Sequence, residues 1–141
     1  MCHINIRSIN LHKHELLSYL SCLKYSFDII LLTECGHALV QGVEECFTEY
    51  NFFHNNSSRN KGGSGILIKK NVFDSIDIIQ DNLDYTCGCN KCIMESLWIK
   101  LSLKKEKIII GCIYKHPDGN LEHFNDAYTK YIEKLDKKLL E

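Results

Sequence analysis

The run Phe27-Asp28-Ile29-Ile30-Leu31-Leu32-Thr33 constrains the fold more than any other stretch of this chain. A strand so nearly free of polar residues is one covered on both faces, inside a sheet held between other layers. Upstream, residues 2–7 alternate weakly and read as a short strand. Between Leu11 and Tyr25, Leu16, Leu20 and Leu23 follow helical spacing, and Leu17 widens the stripe. Asn10 is placed to cap that helix through its side-chain oxygen. Strand, helix and buried strand in this order predict a βαβ unit and an α/β class. The buried strand also delivers a carboxylate, Glu34, to its carboxyl end.

The remainder fits the same class. A less regular stretch to Cys46 has room for a short helix, and Tyr50–His54 reads as a strand followed by a polar loop over 55–61. Gly62-Gly63-Ser64-Gly65 opens the strand Ile66-Leu67-Ile68, and residues 75–79 add another. From Ile93 to Leu103 the apolar residues Met94, Leu97, Ile99, Leu101 and Leu103 fall mostly on one face. Lys104-Lys105-Glu106 connects them tightly to a strand over 107–114, which makes this pair the clearest hairpin. His116-Pro117-Asp118-Gly119 suits a type I turn. A helix capped by Asn120 follows, with Phe124, Tyr128, Tyr131, Leu135 and Leu139 as its apolar stripe. No repeat, low-complexity tract or linker divides the 141 residues, so residues 1–141 read as one domain or part of one.

Charge and cysteine content narrow the function classes. Seventeen Lys and Arg against eighteen Asp and Glu leave a net charge of −1. That balance excludes a strongly basic nucleic-acid binder but not an enzyme touching phosphates transiently. Eight cysteines would suggest a disulfide scaffold in a secreted chain. Met1-Cys2-His3-Ile4-Asn5 carries no basic and apolar leader, and no run approaches the roughly 18 apolar residues of a membrane span. Reduced thiols and an intracellular setting, cytoplasmic or nuclear, with no membrane partner, are the expectation. The sequons at Asn55 and Asn56 are then inert. Cys87, Cys89 and Cys92 put three thiols within six residues, with Cys112 or His54 available as a fourth zinc ligand. A structural zinc site shows two spaced pairs, so a cysteine-rich loop is the preferred reading. The glycine run at 62–65 lacks the Gly-Lys-Ser/Thr of a P-loop. Lysines at 69–70 and 104–107 would suit a nucleic-acid backbone, whereas those at 130–138 alternate with Glu133 and Asp136 and read as a solvated face.

The residues that carry chemistry sit at strand ends. In open α/β sheets ligands bind beyond the carboxyl ends of the strands, where a rigid sheet aims the side chains. Asn5 and Glu34 offer an amide oxygen and a carboxylate, hard donors suited to Mg²⁺. Tyr114 ends the apolar strand Ile108-Ile109-Ile110-Gly111-Cys112-Ile113 and precedes Lys115 and His116. A phenol beside a cation suits a phosphate oxygen. His116 is a candidate general base or substrate contact, although its place at a proline turn points to the surface. Trp98 reads as part of an apolar layer rather than a platform for bases.

Taken in order, Asn5-Ile6-Arg7-Ser8, Asp28-Ile29-Ile30-Leu31-Leu32-Thr33-Glu34, Gly62-Gly63-Ser64-Gly65-Ile66, Glu95-Ser96-Leu97-Trp98-Ile99 and Gly111-Cys112-Ile113-Tyr114-Lys115-His116-Pro117 resemble the N-terminal part of an endonuclease/exonuclease/phosphatase domain. The flavour is that of the apurinic-type endonucleases of non-LTR, LINE-like retrotransposons. The resemblance implies two mixed sheets packed face to face with helices outside. It implies that Asn5 and Glu34 help hold a catalytic Mg²⁺ (or Mn²⁺), that Tyr114 contacts the phosphate, and that Lys115 and His116 lie against the substrate. The implied activity is a phosphodiesterase that nicks DNA for retrotransposition.

The departures are equally specific. The family continues into a Gly-Asp-Phe-Asn type motif and later a Ser-Asp-His type motif, which orient the attacking water and bind or polarise it. Neither occurs in these 141 residues. Some apurinic enzymes also carry an asparagine where Pro117 stands. The expectation is a domain truncated at its C-terminus and inactive as this fragment, because one carboxylate and no base leave in-line displacement poorly supported. A sheet edge beside 108–113 would then be open to self-association. The alternatives are a non-catalytic binding or interaction remnant, and a phosphatase or exonuclease of the same superfamily.

Overall fold

The computed structural model describes residues 1–36, 40–55, 62–79, 85–86 and 92–140. Along the chain run β1 (Cys2–Asn5), α1 (Ile9–Ser21), β2 (Ile29–Thr33), α2 (Val43–Cys46), β3 (Tyr50–Asn55), β4 (Ser64–Lys69), β5 (Ser75–Ile78), β6 (Tyr85–Thr86), β7 (Cys92–Leu103), β8 (Glu106–Lys115) and α3 (Leu121–Leu140).

Two sheets with helices on their outer sides result, the first mixed and the second, among the described residues, antiparallel throughout. The first sheet has the order β1-β2-β4-β3, with β1 and β2 parallel and the other pairs antiparallel. The parallel pair is the βαβ unit, and every residue of β2 is buried, as its unbroken apolar run requires. In the second sheet β7 pairs with β8 along Met94–Leu103, so β5 and β6 share its other edge. Among the described residues β8 pairs only with β7. The 93–103/107–114 hairpin is therefore present, each strand slightly longer than its apolar run.

The sheets pack face to face. Ile29, Leu31, Ile66 and Ile68 from the first meet Leu97, Ile99, Leu101 and Cys112 from the second. On the outer side of the first sheet, Ile9 and Leu16 of α1 and Val43 of α2 bury Ile30, Leu32 and Leu67. On the outer side of the second, Tyr131 and Leu135 of α3 cover Trp98, whose ring stacks on Tyr131 at 4.9 Å. Trp98 thus lies in an apolar layer. Gly111 stands opposite Trp98 on β8, and a Cβ there would meet the indole at 2.5 Å. The missing side chain is the space in which the ring lies.

Several local expectations are corrected. Asn10 does not cap α1, because the chain enters the helix two residues earlier, at Ser8, through left-handed backbone at Arg7 and Ser8. Asn10 instead accepts a hydrogen bond from the Gln41 amide at 3.2 Å. Asn120 does cap α3, taking the amides of Glu122 and His123, and the Gly119 amide closes the 116–119 turn on the His116 carbonyl. Among the described side chains of α3, Ala127, Tyr131 and Leu135 are buried while Tyr128 is exposed, and that of Leu139 lies outside the described residues. Cys112 is no zinc ligand, since its thiol sits between the sheets and donates to the Leu32 carbonyl. Cys87 and Cys89 lie outside the described residues, as do Asn56 and the 56–61 part of the polar loop. No helix among the described residues is long and apolar enough to cross a membrane.

Candidate active site

Parallel pairing brings the carboxyl ends of β1 and β2 to one side of the first sheet. Asn5 is in register with Thr33, so Glu34 emerges one residue further on beside it. Asn5 Nδ2 donates to Glu34 Oε1 at 2.9 Å. Tyr114, near the end of β8 in the second sheet, donates its hydroxyl to that same oxygen at 3.1 Å. Two side chains from separate strand ends therefore converge on the carboxylate of a third, Glu34, at one mouth of the sandwich. Glu34 itself adopts φ 59°, a left-handed conformation that a glutamate holds only when the surroundings impose it.

Two glycine contacts impose it. The amides of Cys35 and Gly36 donate to the carbonyls of Gly63 and Gly62 at 3.1 and 2.8 Å, pinning the chain immediately after Glu34. Gly63 has φ 85°, and a Cβ there would lie 2.7 Å from the Gly36 carbonyl oxygen. The run at 62–65 is a close backbone approach that lets β4 dock on the Glu34 turn.

Tyr114 is 8% exposed. Burial first, then its hydrogen bond to Glu34 and the charges of Glu34, Glu95 and Asp118, push its hydroxyl up to about 12. At neutral pH the phenol is protonated, a hydrogen-bond donor rather than a base. His116 is not at the surface. It is 3% exposed, and its ring packs edge-on against Tyr114 at 5.0 Å, because residues 114 and 116 continue the inward parity of β8. Lys115, of opposite parity, is not gathered with Tyr114, and its Nζ donates to the His116 carbonyl at 3.1 Å.

Sequence reasoning assigned no role to Glu95. Its carboxyl group is 1% exposed, accepts from the Gly63 amide through Oε2 and shares a 3.1 Å hydrogen bond with His116 Nε2 through Oε1. The signal was present in the strand. Positions 97, 99, 101 and 103 define the apolar face, and 95 belongs to the same parity, so a carboxylate there points inward and needs partners.

Solved structures share this arrangement of two sheets. D. rerio TDP2 complexed with a single-strand DNA product matches at a TM-score of 0.61 and 20% identity, over 99% of this chain and 53% of that one. The human Nocturnin catalytic domain with bound sulfate matches at 0.63 and 15% identity, over 95% and 57%. The endonuclease domain of TRAS1, a telomere-specific non-LTR retrotransposon, matches at 0.54 and 16% identity, over 91% and 51%.

The fold is that of the endonuclease/exonuclease/phosphatase superfamily. The chain spans between about two fifths and just under three fifths of the length of these and other solved structures that it matches. No protein-family model and no curated protein matches the sequence.

The chemistry of the donor set suits a divalent cation. Glu34 Oε1 takes both donors, and no other hydrogen bond reaches Glu34 among the described residues, which leaves Oε2 as a hard oxygen ligand. Asn5 engages Glu34 through its nitrogen, so its carbonyl oxygen is a second. These fit Mg²⁺ or Mn²⁺ with water completing the shell. The described residues contain no group of three His, Cys, Asp or Glu able to hold a metal, so the fit is that of part of a site.

Proposed function

We propose that this chain is the N-terminal portion of a Mg²⁺-dependent phosphodiesterase that nicks DNA for retrotransposition, with Asn5, Glu34 and Tyr114 at its centre. The observation that carries this reading is the convergence of the Asn5 amide and the Tyr114 hydroxyl on one oxygen of Glu34. The fold shared with a retrotransposon endonuclease domain and with a DNA-bound TDP2 supports it. Glu34 and Asn5 would hold the cation, and a bound Mg²⁺ or Mn²⁺ would offset negative charge building on a phosphate. Tyr114, kept protonated, offers its hydroxyl to a phosphate oxygen, and Glu34 orients that hydroxyl. Lys115 and His116 follow directly on β8, and Lys115 is the cation of that segment for the DNA backbone. We place residues 1–141 in one partial domain, working inside the cell. Cys2, Cys22, Cys35, Cys46 and Cys112 are free thiols, in keeping with a reducing compartment.

A second reading is favoured by one observation, the single carboxylate of the described cluster. In it the fold persists as a non-catalytic binding remnant. Activity of this chain alone is expected to be low on either reading, because one carboxylate gives a cation weak purchase. A supercoiled-plasmid assay in Mg²⁺ tests the proposal. Any nicking by the native chain should require the cation and fall to the buffer rate in Glu34→Ala. Nicking that survives this substitution removes Glu34 from the chemistry.

A further inference from the structure

The buried Glu95 is not part of the proposed cation site, yet two hydrogen bonds of its carboxyl group lead there. One arm runs through the first sheet. Glu95 Oε2 accepts the Gly63 amide, the Gly63 carbonyl accepts Cys35 N–H at 3.1 Å, and Cys35 follows Glu34 in the chain. The other arm stays in the second sheet. Glu95 Oε1 shares a 3.1 Å hydrogen bond with His116, whose ring meets Tyr114 edge-on with an interplanar angle of 77°, and Tyr114 donates to Glu34. Glu95 and Tyr114 are also direct cross-strand partners. The path is a closed ring that crosses between the two sheets twice, once at Glu34–Tyr114 and once at Glu95–Gly63.

A buried carboxyl group is retained only where hydrogen bonds replace the water it gives up. Apolar residues at positions 95 and 116 would pack the mouth of the sandwich without that demand. They would not fix the Gly63 carbonyl against Cys35, nor turn the His116 ring onto Tyr114. Side chains that act at a site are held by neighbours whose own positions are locked.

We infer that Glu95, with His116, is a positioning device that sets the Tyr114 hydroxyl and the left-handed Glu34 turn against each other across the two sheets. The inference rests on the reading of Asn5, Glu34 and Tyr114 as the working cluster, and it deepens that reading by naming what holds it in place.

The test is carbon-13 NMR of the metal-free chain, following Tyr114 Cζ and Glu34 Cδ in the native protein, Glu95→Gln, His116→Gln and Leu101→Ala. Leu101 belongs to the core between the same sheets but not to the ring. Glu95→Gln should shift both resonances beyond their linewidths, and His116→Gln should shift Tyr114 Cζ. Leu101→Ala should lower the melting temperature and leave both in place. Unmoved resonances in the ring variants, or equal movement in Leu101→Ala, would overturn the inference. If Glu95→Gln does not fold, His116→Gln decides alone. If neither folds while Leu101→Ala does, the cluster is a folding requirement and the positioning role is wrong. Because no cation is added, these shifts do not depend on metal binding. A separate failure to bind Mg²⁺ would sink the functional reading and leave the positioning role standing.

Discussion

Tyr114 reaches across from the second sheet to Glu34 of the first, a hydrogen bond of 3.1 Å between residues 80 positions apart. It joins the sheets at the point where Asn5 also arrives, so the cluster is a product of tertiary packing rather than of any one loop. Tyr114→Phe removes the donor and keeps the ring against His116. We expect a loss of about 0.5–1.5 kcal/mol in a urea melt, the range for one hydrogen bond, with the fold intact. Collapse of the fold would mean that the hydroxyl is a structural keystone instead.

Gly111 and Trp98 face each other across β7 and β8, and the indole occupies the volume of the absent side chain. Gly111→Ala should displace the ring from its stack on Tyr131 and loosen α3. Trp98 is the chain's single tryptophan, so its fluorescence reports the event directly. A red shift is expected, with a stability loss of about 1–3 kcal/mol from overpacking. Unchanged emission would show that α3 tolerates the added methyl group.

The buried thiols of Cys35, under the outer helices of the first sheet, and Cys112, between the sheets, give a pH dependence with a definite sign. Burial pushes Cys35 up to about 12 and Cys112 up to about 11, from an ordinary value of 9.0. Between pH 9 and these values the unfolded chain has lost the protons that the native chain keeps. Unfolding free energy therefore falls as pH rises through that window and is unaffected by these thiols below it. At pH 8 the exposed Cys22 should react with a thiol reagent while Cys35 and Cys112 resist. Mass spectrometry of the labelled protein checks this, and prompt labelling of Cys112 would contradict its place in the core.

Much of this was legible in the sequence because the signals were long. The apolar run before Glu34 reads as a buried strand, and the 93–114 pattern reads as a hairpin facing a core. Strand-end logic then picked out Asn5, Glu34 and Tyr114. What stayed hidden depended on partners distant along the chain. Glu95 looks like a polar residue at the start of a strand until the Gly63 amide and His116 close on it. His116 looks like a surface turn residue for the same reason. The apolar stripe of α3 in the sequence points through Phe124 and Tyr128, which are larger than Ala127. The small residue is the one that lies buried, in the cleft beside Met94. The Asn10 cap failed because left-handed residues at Arg7 and Ser8 start the helix earlier than its apolar spacing suggests.

Whether Asn5 and Glu34 form a hard-cation site at one mouth of the sandwich is decided best by paramagnetic relaxation with Mn²⁺. With the chain labelled and the cation added in small steps, signals of Asn5 and Glu34 should broaden first and Tyr114 next, and Mg²⁺ should reverse the effect by competition. Glu34→Ala should abolish it. Broadening that begins elsewhere, or that persists in Glu34→Ala, would mean that these two residues hold no cation.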